Sequence, residues 1–243
     1  MNLLEKNMLH GSGVYVSKNF CGNGSKENYY CKSSSTQNGI INILKEFEGY
    51  SWYTQSSGYD FNLSVVFRTD NYIKIKYPYV CGILPDPELR YLSCTDLIEE
   101  VLAHYVHVWS GYKSSELAPV HGDLHLEGNI IFTENGPFIL DWEHFNKGIA
   151  PIGFDALFFL FQKIYTSSLK EKISEESLIH VKKMILYLEG HNCISKTYSS
   201  GYLCNLIRII DDNDDLIWGE QKSKIPIVKF SKSEINFIDE RLS

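Results

Sequence analysis

The chain has 243 residues, 44% hydrophobic and 22% charged, which is enough for one large domain or two modest ones with a sizeable core. The formal net charge of -7 argues against nucleic acid or an anionic membrane surface as the partner. The richest apolar stretch, Gly153–Phe161, is too short to span a bilayer, and the amino terminus lacks the apolar core of a secretory signal. We therefore expect a cytoplasmic protein with no membrane span.

The first third of the chain predicts a small sheet with one helix. The predicted elements are strands at Val14–Val16 and Tyr29–Lys32, a helix from Gln37 to about Tyr53, and strands at Leu63–Phe67 and Tyr72–Val80. Thr36 is a suitable N-cap for the helix. The prolines and glycine of Cys81–Pro87 then predict a connector, so we place one domain at residues 1–81 and a second at 82–243.

The second domain is predicted to be mainly helical. A helix begins near Thr95, and an Asn-Gly turn at Glu134–Gly136 predicts a hairpin. Three further helices are expected at about 154–167, 175–189 and 232–241.

The segments His121–Asn129 and Ile139–Glu143 carry the residue types of a phosphoryl-transfer site. In such sites one carboxylate orients or deprotonates a hydroxyl, while an amide and a second carboxylate hold Mg²⁺ against the phosphates of ATP. Asp123, Asn129 and Asp141 would take these roles in order. Alone, the first of these would be an ordinary turn residue; the hairpin and the second carboxylate behind it favour the catalytic interpretation.

These two segments resemble the catalytic segment of the aminoglycoside phosphotransferase and choline kinase group. The resemblance is specific over about residues 119–160 and loose over 27–85. It implies a two-lobed protein-kinase-like α+β fold, with a small antiparallel sheet lobe and a larger, mainly helical lobe. It further implies transfer of the γ-phosphate of ATP to a hydroxyl of a small molecule such as a sugar, an aminoglycoside or an amino alcohol.

In kinases a strand lysine contacts the ATP phosphates and pairs with a helix glutamate. Lys32 is the candidate lysine, and Glu46 and Glu48 lie on the helix that follows. The segment after Glu48 resembles the family pattern better, so Glu48 is the predicted partner. Asp155 matches a residue that the family uses structurally, to tie the catalytic loop to the next helix.

One spacing departs from the family. Five residues separate Asp123 from Asn129, where the family has four. The pair Glu127 and Gly128 could form a bulge that restores the position of Asn129, since glycine permits unusual backbone angles. Alternatively Glu127 itself binds the metal, or the metal position is lost.

The nucleotide-binding loop has no strict signature. Gly11–Gly13 and Gly22–Ser25 are glycine-containing turns, but neither is GxGxxG, and neither is a P-loop. Two alternatives to a small-molecule kinase follow. A catalytically impaired scaffold is one; a kinase of protein hydroxyls is the other, which the absence of an Ala-Pro-Glu segment after Asp141 disfavours.

Overall fold

A computed structural model describes residues 8–9, 13–19, 28–61, 63–112, 117–169, 172–214, 216 and 225–243. The chain divides into two structural units. The first contains the described residues up to Cys81 together with the short segment Asp141–Phe145. The second contains Gly82–Leu140 and Asn146–Ser243.

An antiparallel sheet of five strands forms the first unit. Its strands are β1 (Met8–Leu9), β2 (Tyr15–Asn19), β3 (Tyr29–Ser34), β4 (Ser64–Thr69) and β5 (Tyr72–Pro78). They lie side by side in the order β1-β2-β3-β5-β4. Side chains of β5 alternate between buried and partly exposed because successive residues of a strand point to opposite faces. Its buried set, Ile73, Ile75 and Tyr77, forms the core beneath the helix.

The helix α1 (Gln37–Ser57) packs on β3 and β5. Thr36 caps it as predicted, since its hydroxyl accepts from the Gly39 N–H at 3.1 Å. The helix continues one turn past the predicted end and stops at Gly58, whose φ of 75° is the left-handed conformation that favours glycine.

The second unit contains five helices and two pairs of strands among its described residues. The helices are α2 (Thr95–Trp109), α3 (Phe154–Ser168), α4 (Glu175–Gly190), α5 (Tyr202–Asp212) and α6 (Lys232–Leu242). The strands are β6 (Leu117–Val120), β7 (Ile130–Thr133), β8 (Gly136–Ile139) and β9 (Asn146–Pro151). The predicted helices are all present; α5 and the β6–β9 pair were not predicted.

The two strand pairs of this unit position the motif residues. β7 and β8 form the predicted hairpin, with Ile130 opposite Ile139. β6 pairs with β9 and ends at Val120, immediately before the motif begins. The core of the unit is α3, most of whose side chains are buried, including Asp155 and Lys163. No helix in the described ranges is long and apolar enough to cross a membrane.

Candidate functional site

Lys32 on β3 joins two carboxylates in the first unit. Its Nζ donates to Glu46 Oε1 at 2.8 Å and to Asp141 Oδ1 at 2.9 Å. The Glu46 side chain is 1% exposed and that of Lys32 15%, whereas that of Asp141 is 44% exposed. One carboxylate is therefore sealed inside the unit, and the other is open to solvent.

The lysine of this triad is a permanent cation. Burial lowers the pKa of Lys32, but Glu46 and then Asp141 outweigh burial and hold that pKa well above its ordinary value. Burial raises the pKa of Glu46 to about 7, against the opposing effect of Lys32. The lysine contact at 2.8 Å and a hydroxyl donated by Tyr77 at 3.3 Å favour the ionised glutamate.

The predicted partner of Lys32 is corrected by this geometry. Glu46, and not Glu48, accepts from the lysine. Residues two apart on a helix point in opposite directions, whereas residues four apart share a face. Glu46 shares the buried face with Tyr50, and Glu48 is exposed.

Asp141 adopts an unusual backbone conformation, with φ 61°. Asp is one of the few residues other than glycine that visits the left-handed region. The hydroxyl of Tyr50, a fully buried side chain on α1, accepts the Asp141 N–H at 3.1 Å. This hydrogen bond holds the backbone that aims the Asp141 carboxylate at Lys32.

In the second unit, Asp155 holds the start of the motif loop. Its carboxylate accepts from the backbone N–H groups of His121 at 2.7 Å and Gly122 at 2.9 Å. Gly122 has φ 85°, a left-handed conformation in which a residue with a side chain would be strained. Burial raises the pKa of Asp155 to about 7, and the two N–H donors oppose that rise. The structural role expected for Asp155 is confirmed.

His121 ties the same loop to the end of the hairpin. Its Nδ1 accepts the Asp123 N–H at 3.2 Å, which leaves Nε2–H to donate to the Leu140 carbonyl at 2.7 Å. The Leu140 N–H in turn donates to the Asn129 carbonyl at 2.8 Å. Both backbone groups of the residue before Asp141 are therefore fixed by residues of the motif loop.

Asp123 and Asn129, two of the predicted site residues, lie together. Asn129 Nδ2 donates to the Asp123 carbonyl at 2.7 Å and to its Oδ2 at 3.2 Å. The amide nitrogen is thus used within the loop. Its oxygen, the atom that suits a hard cation such as Mg²⁺, takes part in neither of these bonds.

The extra residue of the motif is accommodated in a turn at 126–128. Lys163 donates to Glu127 Oε1 at 2.6 Å, so this carboxylate is engaged by a buried lysine rather than held ready for a metal. Gly128 does not use a positive φ, contrary to the expected reason for a glycine there. A Cβ at this position would lie 3.0 Å from His125 Cε1, so the glycine makes room for that ring.

The candidate nucleotide loops lie mostly outside the described residues. Gly22–Ser25 is not described, and of Gly11–Gly13 only Gly13 is. Gly13 has φ 78°, and its carbonyl accepts from the Ser34 hydroxyl at 2.8 Å. A Cβ here would lie 2.6 Å from the Thr36 hydroxyl, so this glycine packs against the cap of α1.

Sequence reasoning missed two residues that shape the site, Tyr50 and Lys163. A lone lysine within the apolar run Phe154–Ile164 was a usable signal, because a lysine is almost never buried without a partner. The tyrosine carried no such signal, since an aromatic residue on a buried helix face is ordinary core.

Each unit contains a predicted Mg²⁺ ligand of a suitable type. Across the described residues, no group of three or more His, Cys, Asp or Glu is arranged to hold a metal by itself. Mg²⁺ bound to a nucleotide needs only one or two protein ligands, since phosphate oxygens and water supply the others. An amide oxygen at Asn129 and a solvent-facing carboxylate at Asp141 are suitable ligand types.

No family model matches the sequence, and no curated protein matches it. Solved structures of aminoglycoside phosphotransferase APH(4)-Ia are similar to the chain. One is 9% identical, with 98% of this chain and 91% of that chain covered and a TM-score of 0.52. The apo form of a thermostable mutant is 10% identical, with 98% and 92% covered and a TM-score of 0.52.

A third structure is a ternary complex of a thermostable mutant of that phosphotransferase with AMP-PNP and hygromycin B. It is 9% identical, covers 98% of this chain and 91% of that chain, and has a TM-score of 0.51. These matches confirm the predicted fold class: a mixed α+β kinase-like fold with a small antiparallel sheet and a helical part.

Proposed function

We propose that this protein is an ATP-dependent phosphotransferase that moves the γ-phosphoryl group to a hydroxyl of a small molecule. The observation that carries the proposal is the triad of Lys32, Glu46 and Asp141. Burying charged groups costs several kcal/mol per ion, and apolar residues of similar size often stabilise a fold as well or better. A strand lysine paired with a helix glutamate is the arrangement that kinases use to position phosphates.

In this proposal, the first unit binds the nucleotide phosphates. Lys32 presents its ammonium to them, and Glu46 holds that ammonium in place. Asp141 would supply a carboxylate ligand for Mg²⁺, and Asn129 would supply an amide oxygen. When bound, Mg²⁺ neutralises charge on the phosphate oxygens.

Asp123 acts on the acceptor hydroxyl. Its carboxylate accepts the proton of the acceptor hydroxyl, or orients that hydroxyl toward the γ-phosphorus. The bond from the acceptor oxygen to phosphorus forms as the bond from phosphorus to the leaving ADP oxygen breaks. The hydroxyl proton leaves through Asp123, and no covalent enzyme intermediate is needed. The loop contacts of His121, Asn129 and Asp155 keep the carboxylate in position.

The ordered motif loop argues against a scaffold that has lost catalysis. That alternative depended on the extra residue before Asn129. The turn at 126–128 accommodates this residue, and the Asn129 amide donates a hydrogen bond to the Asp123 carbonyl. No feature of the described residues favours the scaffold over the enzyme.

The first test is calorimetric titration of the protein with ATP, with and without Mg²⁺. Asp141→Asn should lose the metal-dependent part of the affinity, because a neutral amide is a weaker ligand and also a weaker partner for Lys32. Glu48→Gln is the matched control: it changes a carboxylate of the same unit that is exposed and does not pair with Lys32. A folded wild-type protein that binds no ATP would overturn the proposal.

A further inference from the structure

A pocket of about 290 Å³ lies within the second unit, beside the motif loop. The loop contributes His125 and Glu127 to its wall, and α3 contributes Gln162, Lys163 and Ser167. Its volume is near the lower end of the range for small-molecule sites, about 300–1,000 Å³. The pocket therefore suits a compact ligand better than a chain of several rings.

Two residues of this wall each carry a buried polar side-chain atom that has no hydrogen-bond partner among the described residues. These atoms are Gln162 Oε1 and Ser167 Oγ, on side chains of residues that are 8% and 7% exposed. A buried polar atom without a hydrogen bond costs about 1–3 kcal/mol, so such atoms call for an explanation. A ligand in the pocket that hydrogen-bonds to both would supply one.

The charges of the wall are already compensated. Lys163 is 2% exposed and donates to Glu127 Oε1 and to the Leu89 carbonyl, both at 2.6 Å. Glu127 is the one carboxylate among the described lining residues. A cationic ligand would be repelled by the Lys163 ammonium and would compete with it for the Glu127 carboxylate. The cost of removing water from the ligand's charge would therefore not be repaid.

The pocket lies next to the proposed catalytic carboxylate. His125 lines it, and His125 Nε2 is 3.7 Å from Asp123 Oδ2. The other ring nitrogen, Nδ1, is 3.9 Å from Glu127 Oε2. A ligand held here would contact the His125 ring, which itself lies beside the Asp123 carboxylate. That carboxylate is the group that would receive the hydroxyl proton of the ligand.

We propose that this pocket binds the acceptor and selects a neutral polyol, such as a sugar, over a polycationic aminoglycoside; this inference rests on the function proposed above. A hydroxyl both donates and accepts, so it satisfies the amide of Gln162 in either orientation as well as the Ser167 hydroxyl. Pro87, Leu89 and Leu169 offer an apolar wall to the C–H face of a ring.

The test measures acceptor binding without ATP, so that binding and catalysis are separated. The wild-type protein is titrated by calorimetry with neutral hexoses, pentoses and inositol, and in parallel with kanamycin and choline. We expect a neutral polyol to bind and the cations to bind at least tenfold more weakly. Tighter binding of kanamycin or choline, or no binding of any neutral polyol, would overturn the proposal.

Variants of the two unpartnered residues locate the site. Ser167→Ala and Gln162→Leu should each weaken polyol binding roughly three- to tenfold, the effect of one lost hydrogen bond. Ser168→Ala is the matched control, because its hydroxyl donates to the Tyr165 carbonyl and does not line the pocket. Gln162→Leu should also leave the melting temperature unchanged or higher, since it removes a buried polar atom without a partner. Unchanged polyol affinity in both variants would overturn the proposal.

Release of ADP in the presence of the bound polyol distinguishes the two proposals. Binding that depends on Gln162 and Ser167, without ADP release, would support the pocket and contradict the phosphotransferase. ADP release that is insensitive to Gln162→Leu would support the phosphotransferase and contradict the assignment of the acceptor to this pocket.

Discussion

The two units hold their polar residues in different ways. In the first, Lys32 forms ion pairs with Glu46 and Asp141, which are 14 and 109 residues distant in the chain. In the second, Asp155 and His121 bind mainly backbone N–H and carbonyl groups, so the loop itself is held. Under the proposed function, substitutions in the first unit should therefore alter nucleotide affinity, whereas those in the second should alter the placement of Asp123.

The largest expected effect concerns Asp123. Asp123→Asn should lower turnover about 10²–10⁴-fold, the usual contribution of a general base, with little loss of ATP affinity. The reason is that, in the proposed mechanism, this carboxylate acts on the acceptor hydroxyl and not on the nucleotide. Steady-state assays of ADP release and calorimetry with ATP check the two halves of this prediction. If ATP affinity falls in parallel with turnover, the assigned role is wrong.

Glu46 and Glu48 form a matched pair on α1. Glu46→Gln should destabilise the protein by about 3 kcal/mol, since it removes one partner of a buried ion pair. Glu48→Gln, at an exposed position, should stay within about 0.5 kcal/mol of wild type. Urea denaturation measures both. Equal effects of the two substitutions would contradict the assignment of Glu46 as the partner of Lys32.

Asp155 predicts a pH dependence of stability. Its pKa is raised from 3.8 to about 7, so between these values the folded protein binds more protons than the unfolded chain. Its contribution to stability is therefore fully present below pH 3.8 and is lost as the pH rises through about 7. The slope reaches at most about 1.4 kcal/mol per pH unit.

Asp155→Asn provides the comparison for that slope, because an amide does not titrate. Urea denaturation of both proteins from pH 4.5 to 7.5 should show a shallower fall for the variant. At pH 4.5 the variant should be less stable by about 1–3 kcal/mol, because one backbone N–H of the loop loses its acceptor, and this difference should shrink as the pH rises. Parallel curves would show that another group is responsible.

The smallest effect is expected at Tyr50. Tyr50→Phe removes the acceptor for the Asp141 N–H and should cost about 1 kcal/mol of stability. Affinity for Mg²⁺·ATP should fall a few-fold, since the backbone that aims Asp141 is less well held. Thermal melts and calorimetry measure the two quantities. An unchanged affinity would mean that Lys32 alone orients the carboxylate.

Local patterns predicted most of the elements. Thr36 as an N-cap, the β-branched and aromatic residues of β5 and the Asn-Gly turn between β7 and β8 each depend on residues close together in the chain. The β6–β9 pair was missed because its two strands are far apart in the chain, and no local pattern in Leu117–Val120 indicates the strand with which it pairs. α5 was missed although its buried residues recur at helical spacing.

The sequence by itself determined which residue types could perform phosphoryl transfer and the class of fold that would carry them. Only the tertiary structure decided that Lys32 binds Glu46 rather than Glu48, since the side of α1 that faces the sheet selects the partner. It also decided that Glu127 binds Lys163, 36 residues later. Contacts between distant residues depend on packing, and spacing along the chain does not specify them.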